Sequence, residues 1–208
     1  MLTAFTAALL LTTISELGDK TFFIAMILAM RHPRPIVFAG ASAALALMTV
    51  LSVLMGQVAA LLPKPYVAWA EILLFLGFGL KLLHDASHMS TQSALEGCKE
   101  AEVEIAQVET KLKRQNYWSV LGQAFGLTFL AEWGDRTQFT TIALAAANNV
   151  VGVTVGAILG HALCAFIAVQ CGRYVCGYFS ERTLTGIGGG LFLLFAGVGF
   201  VELIFHGV

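Results

Sequence analysis

The chain has 208 residues, of which 58% are hydrophobic and 12% are charged, and its formal net charge is −1. Soluble domains carry about twice that charged fraction, so a soluble globular enzyme of this composition would expose much apolar surface to water. The composition instead indicates an integral membrane protein, whose helices need about 20 mostly apolar residues each to cross a bilayer.

Six apolar stretches reach that length, and they predict an all-α membrane protein with six transmembrane helices. The predicted spans are Leu2–Met30, Ile36–Leu62, Tyr66–His84, Trp118–Ala147, Val150–Tyr178 and Thr183–Phe205. The first stretch has neither a basic start nor a small-residue cleavage site, so we expect a retained span rather than a signal peptide.

The connection between the third and fourth spans is the charge-dense part of the chain. Asp85–Asn116 contains six acidic and four basic residues. Its apolar residues recur at near-helical spacing and predict one short amphipathic helix. We therefore expect three parts: a three-helix repeat over residues 1–84, a charged linker over 85–117 and a second three-helix repeat over 118–208. The linker is interpreted as a solvated connector, with a regulatory or metal-buffering loop as the alternative.

The positions of lysine and arginine predict the orientation in the membrane. With six spans, one side of the membrane receives nearly all of the basic residues outside the spans. They are Arg31, Arg34, Lys99, Lys111, Lys113, Arg114 and Arg182. Basic loops stay in the cytoplasm, so the central loop is predicted to be cytoplasmic and both termini non-cytoplasmic.

The two halves of the chain repeat each other. A shift of 116 residues aligns SELGDKT at 15–21 with AEWGDRT at 131–137, and 17 of the 49 positions from Ala8 to Gly56 are then identical. Because each half has three predicted spans, an odd number, the second half must enter the membrane inverted relative to the first. Inverted repeats of this kind are a recurrent transporter architecture, with the binding site near the bilayer midplane.

Each repeated motif places carboxylates deep in an apolar span. Glu16 and Asp19 are three residues apart, as are Glu132 and Asp135, and on a helix such residues share one face. An isolated charge at the bilayer centre costs about 2.5–3.5 kcal/mol, so these groups must face each other, a cavity or a bound ion. An ion-pair cluster that merely joins the halves is the structural alternative, but buried ion pairs rarely improve on apolar packing.

The charges of the two motifs do not cancel. Glu16, Asp19, Glu132 and Asp135 contribute −4, and Lys20 and Arg136 contribute +2, which leaves −2. One divalent cation or two protons would neutralise this remainder, which is the electrostatic requirement for obligatory exchange between a metal ion and protons. The aligned basic residues are expected to pair with carboxylates of the opposite repeat or to control access.

The ligand types in the motifs indicate an oxygen site for a hard cation. Thr21, Thr137 and Gln138 add hydroxyl and amide oxygens, and a turn unwound at Gly18 and Gly134 would add backbone carbonyls. Such sites suit Ca²⁺, Mn²⁺ and Mg²⁺ more than Zn²⁺ or Cu²⁺. His161, near the middle of the fifth span, can relay protons or orient a carboxylate, and simple packing with one hydrogen bond is equally open.

The doubled E-x-G-D-[KR]-[ST] motif, with one copy in each three-span half and an acidic central loop between them, resembles the Gdt-type cation/proton exchanger family. The stretch EWGDRTQ at 132–138 and the Gly160–His161 pair also fit that family's pattern. The resemblance covers essentially the whole chain, and the short length is most similar to cyanobacterial manganese exporters. By position, it implies a metal site at Glu16, Asp19, Glu132 and Asp135, with Lys20, Thr21, Arg136, Thr137 and Gln138 beside it.

The function predicted from these residues and this resemblance is a secondary transporter. It would export a divalent cation, Mn²⁺ or alternatively Ca²⁺, from the cytoplasm in exchange for protons by alternating access, in a plasma (inner) or thylakoid membrane. A non-coupled divalent-cation channel is the alternative. No enzyme activity, cofactor or nucleic-acid partner is expected; the expected partners are the lipid bilayer, the transported ion and protons, and a homodimer is left open.

Overall fold

The structure is a computed structural model, and it describes residues 1–89, 101–103, 105–106, 116–175 and 181–206. Eight long helices lie within these residues. They are α1 Leu2–Glu16, α2 Lys20–Arg31, α3 Arg34–Ala59, α4 Lys64–His88, α5 Tyr117–Glu132, α6 Arg136–Ala147, α7 Val150–Val175 and α8 Glu181–His206. In the ranges that the structure describes, the prediction of an all-helical fold is confirmed.

Four of the described helices are long and apolar enough to cross a membrane. They are α3, α4, α7 over Val150–Gln170 and α8 over Arg182–Phe205, and α1 is a shorter apolar helix. The first and fourth predicted spans differ from the expectation, because each is divided into two helices at its motif: α1 and α2 at residues 17–19, and α5 and α6 at residues 133–135. The break follows from the backbone of the motif glycines, which is not helical.

The helix boundaries follow local sequence signals. Pro35 and Pro65 lie in the first turns of α3 and α4, where a missing backbone N–H costs nothing. Asn116 accepts a hydrogen bond from the Tyr117 backbone nitrogen at the start of α5, and Asn149 accepts one from the Gly152 nitrogen at the start of α7. These residues fix where the hairpins between the long helices turn.

Most of the predicted amphipathic helix in the linker lies outside the described residues. Residues 101–103 and 105–106 are helical, and Ala101 and Ile105 are fully buried. Both contact the apolar cluster formed by α2, the start of α3, the start of α5 and the end of α7. This part of the linker therefore packs on the helices rather than standing free in solvent.

Two apolar clusters lie at opposite ends of the helices. The first contains most of α2 with Val37 of α3, Val120 of α5 and Ala168 of α7. The second contains the first part of α1, Val53 of α3, the end of α6, the start of α7 and the middle of α8, together with Phe75 and Leu82 of α4. The broken helix α1–α2 thus runs from the second cluster to the first, whereas α5–α6 runs from the first to the second, and both motif turns lie between the clusters.

The contacts between the halves are reciprocal. A side chain at Gly156 on α7 would meet Phe5 and Ala8 of α1, and one at Gly40 on α3 would meet Leu121 and Ala124 of α5. These two sets of positions differ by 116 residues. Helix α3 of the first half therefore packs against α5 of the second half in the same way as α7 of the second half packs against α1 of the first. Small residues at such crossings let helix backbones approach closely in lipid.

We predict that Gly156→Ala destabilises the fold. The new Cβ would lie 2.4 Å from the Phe5 carbonyl oxygen, and overpacking of this kind costs about 1–3 kcal/mol. Gly190→Ala is the matched control, because it changes a glycine of α8 around which nothing lies within 4 Å. Thermal unfolding of the detergent-purified protein should show a lower midpoint for Gly156→Ala only. Equal midpoints for the two variants would contradict the close approach of α1 and α7.

Candidate ion-binding site

The two motif turns have the same backbone conformation. Gly18 and Gly134 have φ angles of +83° and +84°, a left-handed region that glycine enters without the steric cost that a Cβ imposes. Asp19 and Asp135 follow with φ and ψ of −80° and 170°, and −78° and 169°. Each aspartate begins the next helix, so the carboxylates of one motif are joined by a non-helical turn and not by the continuous helix face that their spacing suggests.

The two glutamates end helices α1 and α5 in the protein interior. Glu16 is 2% exposed and Glu132 is 1% exposed. Thr21 Oγ1 donates a hydrogen bond of 2.8 Å to Glu16 Oε2, and Thr137 Oγ1 donates one to Glu132 Oε1. Each threonine belongs to the helix after the break, so it ties the two helix ends together and fixes one carboxylate oxygen while the other is left for a different partner.

Arg136 connects the two motifs directly. Its guanidinium donates a hydrogen bond of 2.9 Å to Asp19 Oδ1 of the other motif, and its Nε lies 3.9 Å from Asp135 Oδ1 of its own motif. The side chains of Asp19 and Arg136 are about a quarter exposed. Of the two basic residues in the motifs, Arg136 therefore bridges the aspartates, while Lys20 begins α2 at an exposed position.

The four carboxylates are neighbours of one another. Glu16 interacts with Glu132 and with Asp135, and Glu132 interacts with both aspartates. Four acids from two distant parts of the sequence therefore share one region between the apolar clusters. A repulsive arrangement of this kind is stable in an apolar interior only when cations or protons compensate it.

Several buried polar atoms in this region have no hydrogen-bond partner. Among them are Glu16 Oε1, Glu132 Oε2, Asp135 Oδ2 and His161 Nδ1. In the part of the chain that the structure describes, no three acidic, histidine or cysteine side chains converge closely enough to hold a metal ion as they stand. The carboxylates would therefore have to move closer together for an ion to gain several of these atoms as ligands.

Gln138 supports the turn of the second motif. Its Oε1 accepts a hydrogen bond of 2.7 Å from the Gly134 backbone nitrogen, and its Nε2 lies 3.3 Å from Met48 Sδ. The amide oxygen that the sequence suggested as an ion ligand is thus already occupied by the backbone. The aligned residue in the first half is Phe22, so the two turns are held differently.

Thr128 is a site residue that the sequence analysis missed. Its side chain is 1% exposed, its hydroxyl has no hydrogen-bond partner, and it lines a cavity of about 10 Å³ with Glu16 and Thr21. That volume is about enough for one water molecule. The repeat alignment pairs Thr128 with Thr12, but only the structure shows that both side chains are buried.

A larger cavity gives access to the motif from one end of the helices. It has a volume of about 220 Å³, and Asp19 and Arg136 lie in its wall together with Met89 at the end of α4 and Leu184 near the start of α8. This is the end of the helices at which the charged linker attaches. The Asp19–Arg136 pair therefore lies between this cavity and the buried glutamates.

We predict that Gly134→Ala lowers both stability and transport. A Cβ at this position would meet nothing within 4 Å, so any effect comes from the φ angle of +84°, which costs an L-residue about 1–2 kcal/mol. Gly126→Ala on α5 is the control, since it is equally open and lies in regular helix, where alanine is favoured. Thermal unfolding and ion uptake should separate the two variants; identical behaviour would show that the turn tolerates an ordinary residue.

We also predict strong coupling between Asp19 and Arg136. Arg136→Gln and Asp19→Asn should each destabilise the protein by about 1–3 kcal/mol, because each leaves a charged hydrogen-bonding partner unpaired. The double variant should lose less than the sum of the two, by about 0.5 kcal/mol or more. Chemical or thermal unfolding of the four proteins measures this coupling, and additive losses would mean that the 2.9 Å contact contributes nothing.

Comparison with known proteins agrees with this arrangement. A family described as "Divalent cation/proton antiporter GDT1" matches residues 4–90 and 120–205, which are the two halves without the linker. The chain is 59% identical to the GDT1-like protein sll0615 of Synechocystis sp. over 197 residues, covering 94% of this chain and 96% of that one. No solved structure matches the chain.

Plant proteins are also similar. The chain is 43% identical to GDT1-like protein 3 of Oryza sativa subsp. indica, over 91% of this chain and 71% of that protein. It is 39% identical to the chloroplastic PAM71-homolog of Arabidopsis thaliana, over 94% of this chain and 58% of that protein. The match to the family over both halves and the identity to these relatives show that the chain belongs to the GDT1 family of divalent cation/proton antiporters.

Proposed function

We propose that this chain exports Mn²⁺, with Ca²⁺ as the alternative cargo, from the cytoplasm in exchange for protons by alternating access. The observation that carries the proposal is the convergence of Glu16 and Glu132, both almost fully buried, with the acids of the opposite motifs. Four carboxylates against Lys20 and Arg136 leave a charge of −2. One divalent cation or two protons compensate this charge equally well.

This charge balance explains why exchange would be coupled. Moving an uncompensated carboxylate through the bilayer centre costs about 2.5–3.5 kcal/mol on a lenient scale, so a site that has lost both its metal ion and its protons resists the change between inward-open and outward-open forms. A site that holds either the metal ion or the protons can undergo this change. The transporter then returns only after it has taken up protons in place of the metal ion.

The packing of the helices supports an inverted repeat. The broken helices α1–α2 and α5–α6 run in opposite directions between the two apolar clusters, and the glycine contacts of one half recur in the other after a shift of 116 residues. In an inverted repeat, exchanging the conformations of the two halves converts an inward-open transporter into an outward-open one. Both motif turns lie where such a conversion would expose them alternately.

The burial of the glutamates favours a transporter over a non-coupled channel. A conducting pore keeps its selectivity residues in contact with water, whereas Glu16 and Glu132 are 2% and 1% exposed. The cavity of about 220 Å³ has Asp19 and Arg136 in its wall, together with Met89 and Leu184. We interpret this cavity as the cytoplasmic entrance, because Leu184 in its wall follows closely on Arg182, one of the basic residues that predict the cytoplasmic side.

The second large cavity lies at the other end of the helices. It has a volume of about 450 Å³, and Lys64, Glu71, Asn148 and Glu202 are among its lining residues. In the proposed orientation this end is non-cytoplasmic and carries both termini. The membrane itself is the plasma (inner) or the thylakoid membrane, and the name of one relative as a chloroplastic protein agrees with the second of these.

Proteoliposomes with an imposed pH step test the proposal. If one Mn²⁺ exchanges for two protons, each pH unit supplies about 2 × 1.36 kcal/mol, or roughly a hundredfold gradient of the metal ion. We expect Mn²⁺ to accumulate on the acidic side, and Glu16→Gln and Glu132→Gln to reduce this accumulation at least about tenfold. Glu102→Gln, which changes an exposed glutamate of the central linker, is the control and should transport like the parent protein.

A parallel series with Ca²⁺ and Mg²⁺ in place of Mn²⁺ identifies the cargo. Mn²⁺ flux that ignores the pH step would contradict proton coupling and would favour a channel. Flux of protons without any metal ion on the opposite side would contradict obligatory exchange.

A further inference from the structure

His161 breaks the internal repeat at the ion-binding site. The aligned residue in the first half is Leu45, which is 4% exposed and lines the small cavity beside Glu16. His161 is 3% exposed. Because a leucine fills the equivalent buried position of the other half, packing alone does not require a histidine here.

The imidazole of His161 points one nitrogen at one oxygen of Glu16. Nδ1 lies 3.6 Å from Glu16 Oε1, and neither atom has a hydrogen-bond partner. A hydrogen bond between them would require about 2.7–3.2 Å. The other oxygen of Glu16 is held by Thr21, so Glu16 Oε1 and His161 Nδ1 face each other in the protein interior without a hydrogen bond.

The separation of these two atoms fits two ligands of one cation. Ligand atoms lie about 2.0–2.4 Å from a divalent ion, and neighbouring ligands about 90–110° apart are then about 2.8–3.9 Å from one another. The observed 3.6 Å falls in this range. Asp135 lies close enough to His161 to interact with it electrostatically, but its oxygens would have to move closer before they could bind the same ion.

The other groups near His161 do not replace it as a ligand. Cys164 lies one turn further along α7, and its Sγ lies 3.2 Å from the Thr13 carbonyl oxygen, to which it donates a hydrogen bond. Thr128 presents a hydroxyl in the small cavity beside Glu16. The imidazole is therefore the one nitrogen group that the described part of α7 places against the buried carboxylates.

We propose that His161 Nδ1 binds the transported cation together with Glu16 Oε1, and that this nitrogen ligand selects a transition-metal ion over Ca²⁺ and Mg²⁺. The inference rests on the proposed transport function and specifies its cargo. Ca²⁺ and Mg²⁺ take oxygen ligands, whereas imidazole suits first-row transition metals. One imidazole among carboxylates keeps the oxygen majority that suits Mn²⁺ and adds a ligand that the alkaline-earth ions bind poorly.

Pulsed electron paramagnetic resonance of Mn²⁺ bound to the full-length protein tests the bond directly. We expect a ¹⁴N coupling from a directly bound histidine, and its replacement by the ¹⁵N pattern in protein made with ¹⁵N-labelled histidine. The coupling should disappear in His161→Gln, which keeps a polar side chain but has no imidazole. It should remain in His84→Gln, which changes a histidine whose side chain is 72% exposed at the end of α4.

Transport gives the second readout. In proteoliposomes, His161→Gln and His161→Leu should lower the ratio of Mn²⁺ to Ca²⁺ uptake at least about tenfold, since even residues that only support a metal ligand change affinity about 10–100-fold. His161→Leu installs the residue found in the other half and tests whether the fold accepts it. Uptake of Ca²⁺ should persist in both variants.

The outcomes separate this inference from the function on which it rests. Parent protein that binds and transports Mn²⁺ under a pH step but shows no ¹⁴N coupling overturns the nitrogen ligand and leaves the antiporter intact. The same holds if the Mn²⁺ to Ca²⁺ ratio of the variants is unchanged, the result expected of a histidine that only relays protons. Parent protein that transports no divalent cation overturns both. If the variants do not fold, the labelled parent spectrum decides alone.

Discussion

Uncompensated negative charge in an apolar interior is the constraint on which this protein depends. Glu16 and Glu132 lie almost completely out of contact with solvent, between two clusters of apolar side chains. Burying carboxylates costs far more than burying apolar groups of the same size unless hydrogen bonds and cations compensate them. Thr21, Thr137 and Arg136 provide part of this compensation, and the remainder is what a transported ion would supply.

The glycines of the motif turns and of the long helices bring these carboxylates close to one another. Glycines with φ near +83° end one helix and allow the next to begin with an aspartate, so each motif contributes two carboxylates from a turn rather than from a rigid helix. Glycines on α3 and α7 bring the first helix of the opposite half close. The candidate site is therefore formed by both halves, and a rigid-body movement of one half against the other would change the separation of its carboxylates.

The four acids and the correspondence of the two halves could be predicted from the sequence, because charged residues are rare in so apolar a chain and are easily recognised there. The doubled motif identified the four acids, and the 116-residue repeat indicated that the halves correspond. The breaks at Gly18 and Gly134 were only partly foreseen: glycine indicated a weakened helix, but the spacing of Glu16 and Asp19 suggested one continuous face. Whether a glycine takes a positive φ depends on the tertiary contacts of the helices on either side, which no local pattern contains.

Other parts of the site could not be read from sequence. Gln138 was expected to contribute an oxygen to the ion. In the structure that oxygen accepts a hydrogen bond from the Gly134 nitrogen, because the non-helical turn brings this N–H close to it. Thr128 escaped notice because a threonine in an apolar helix usually bonds its own backbone, and only packing shows that this hydroxyl lacks a partner. The sequence predicted that His161 lies near the middle of its span. Its contact with Glu16 could not be predicted, because it depends on how α7 packs against α1.

The difference between Leu45 and His161, and likewise between Phe22 and Gln138, has a consequence for the history of the chain. Two separate copies of one three-helix subunit would have to place the same residue at both equivalent positions, since a single gene would encode them. Fusion into one polypeptide removes that obligation. Each half is then free to mutate on its own, so a histidine can face Glu16 while the aligned position of the other half holds a leucine, and a symmetric ancestor becomes a protein with two unlike halves.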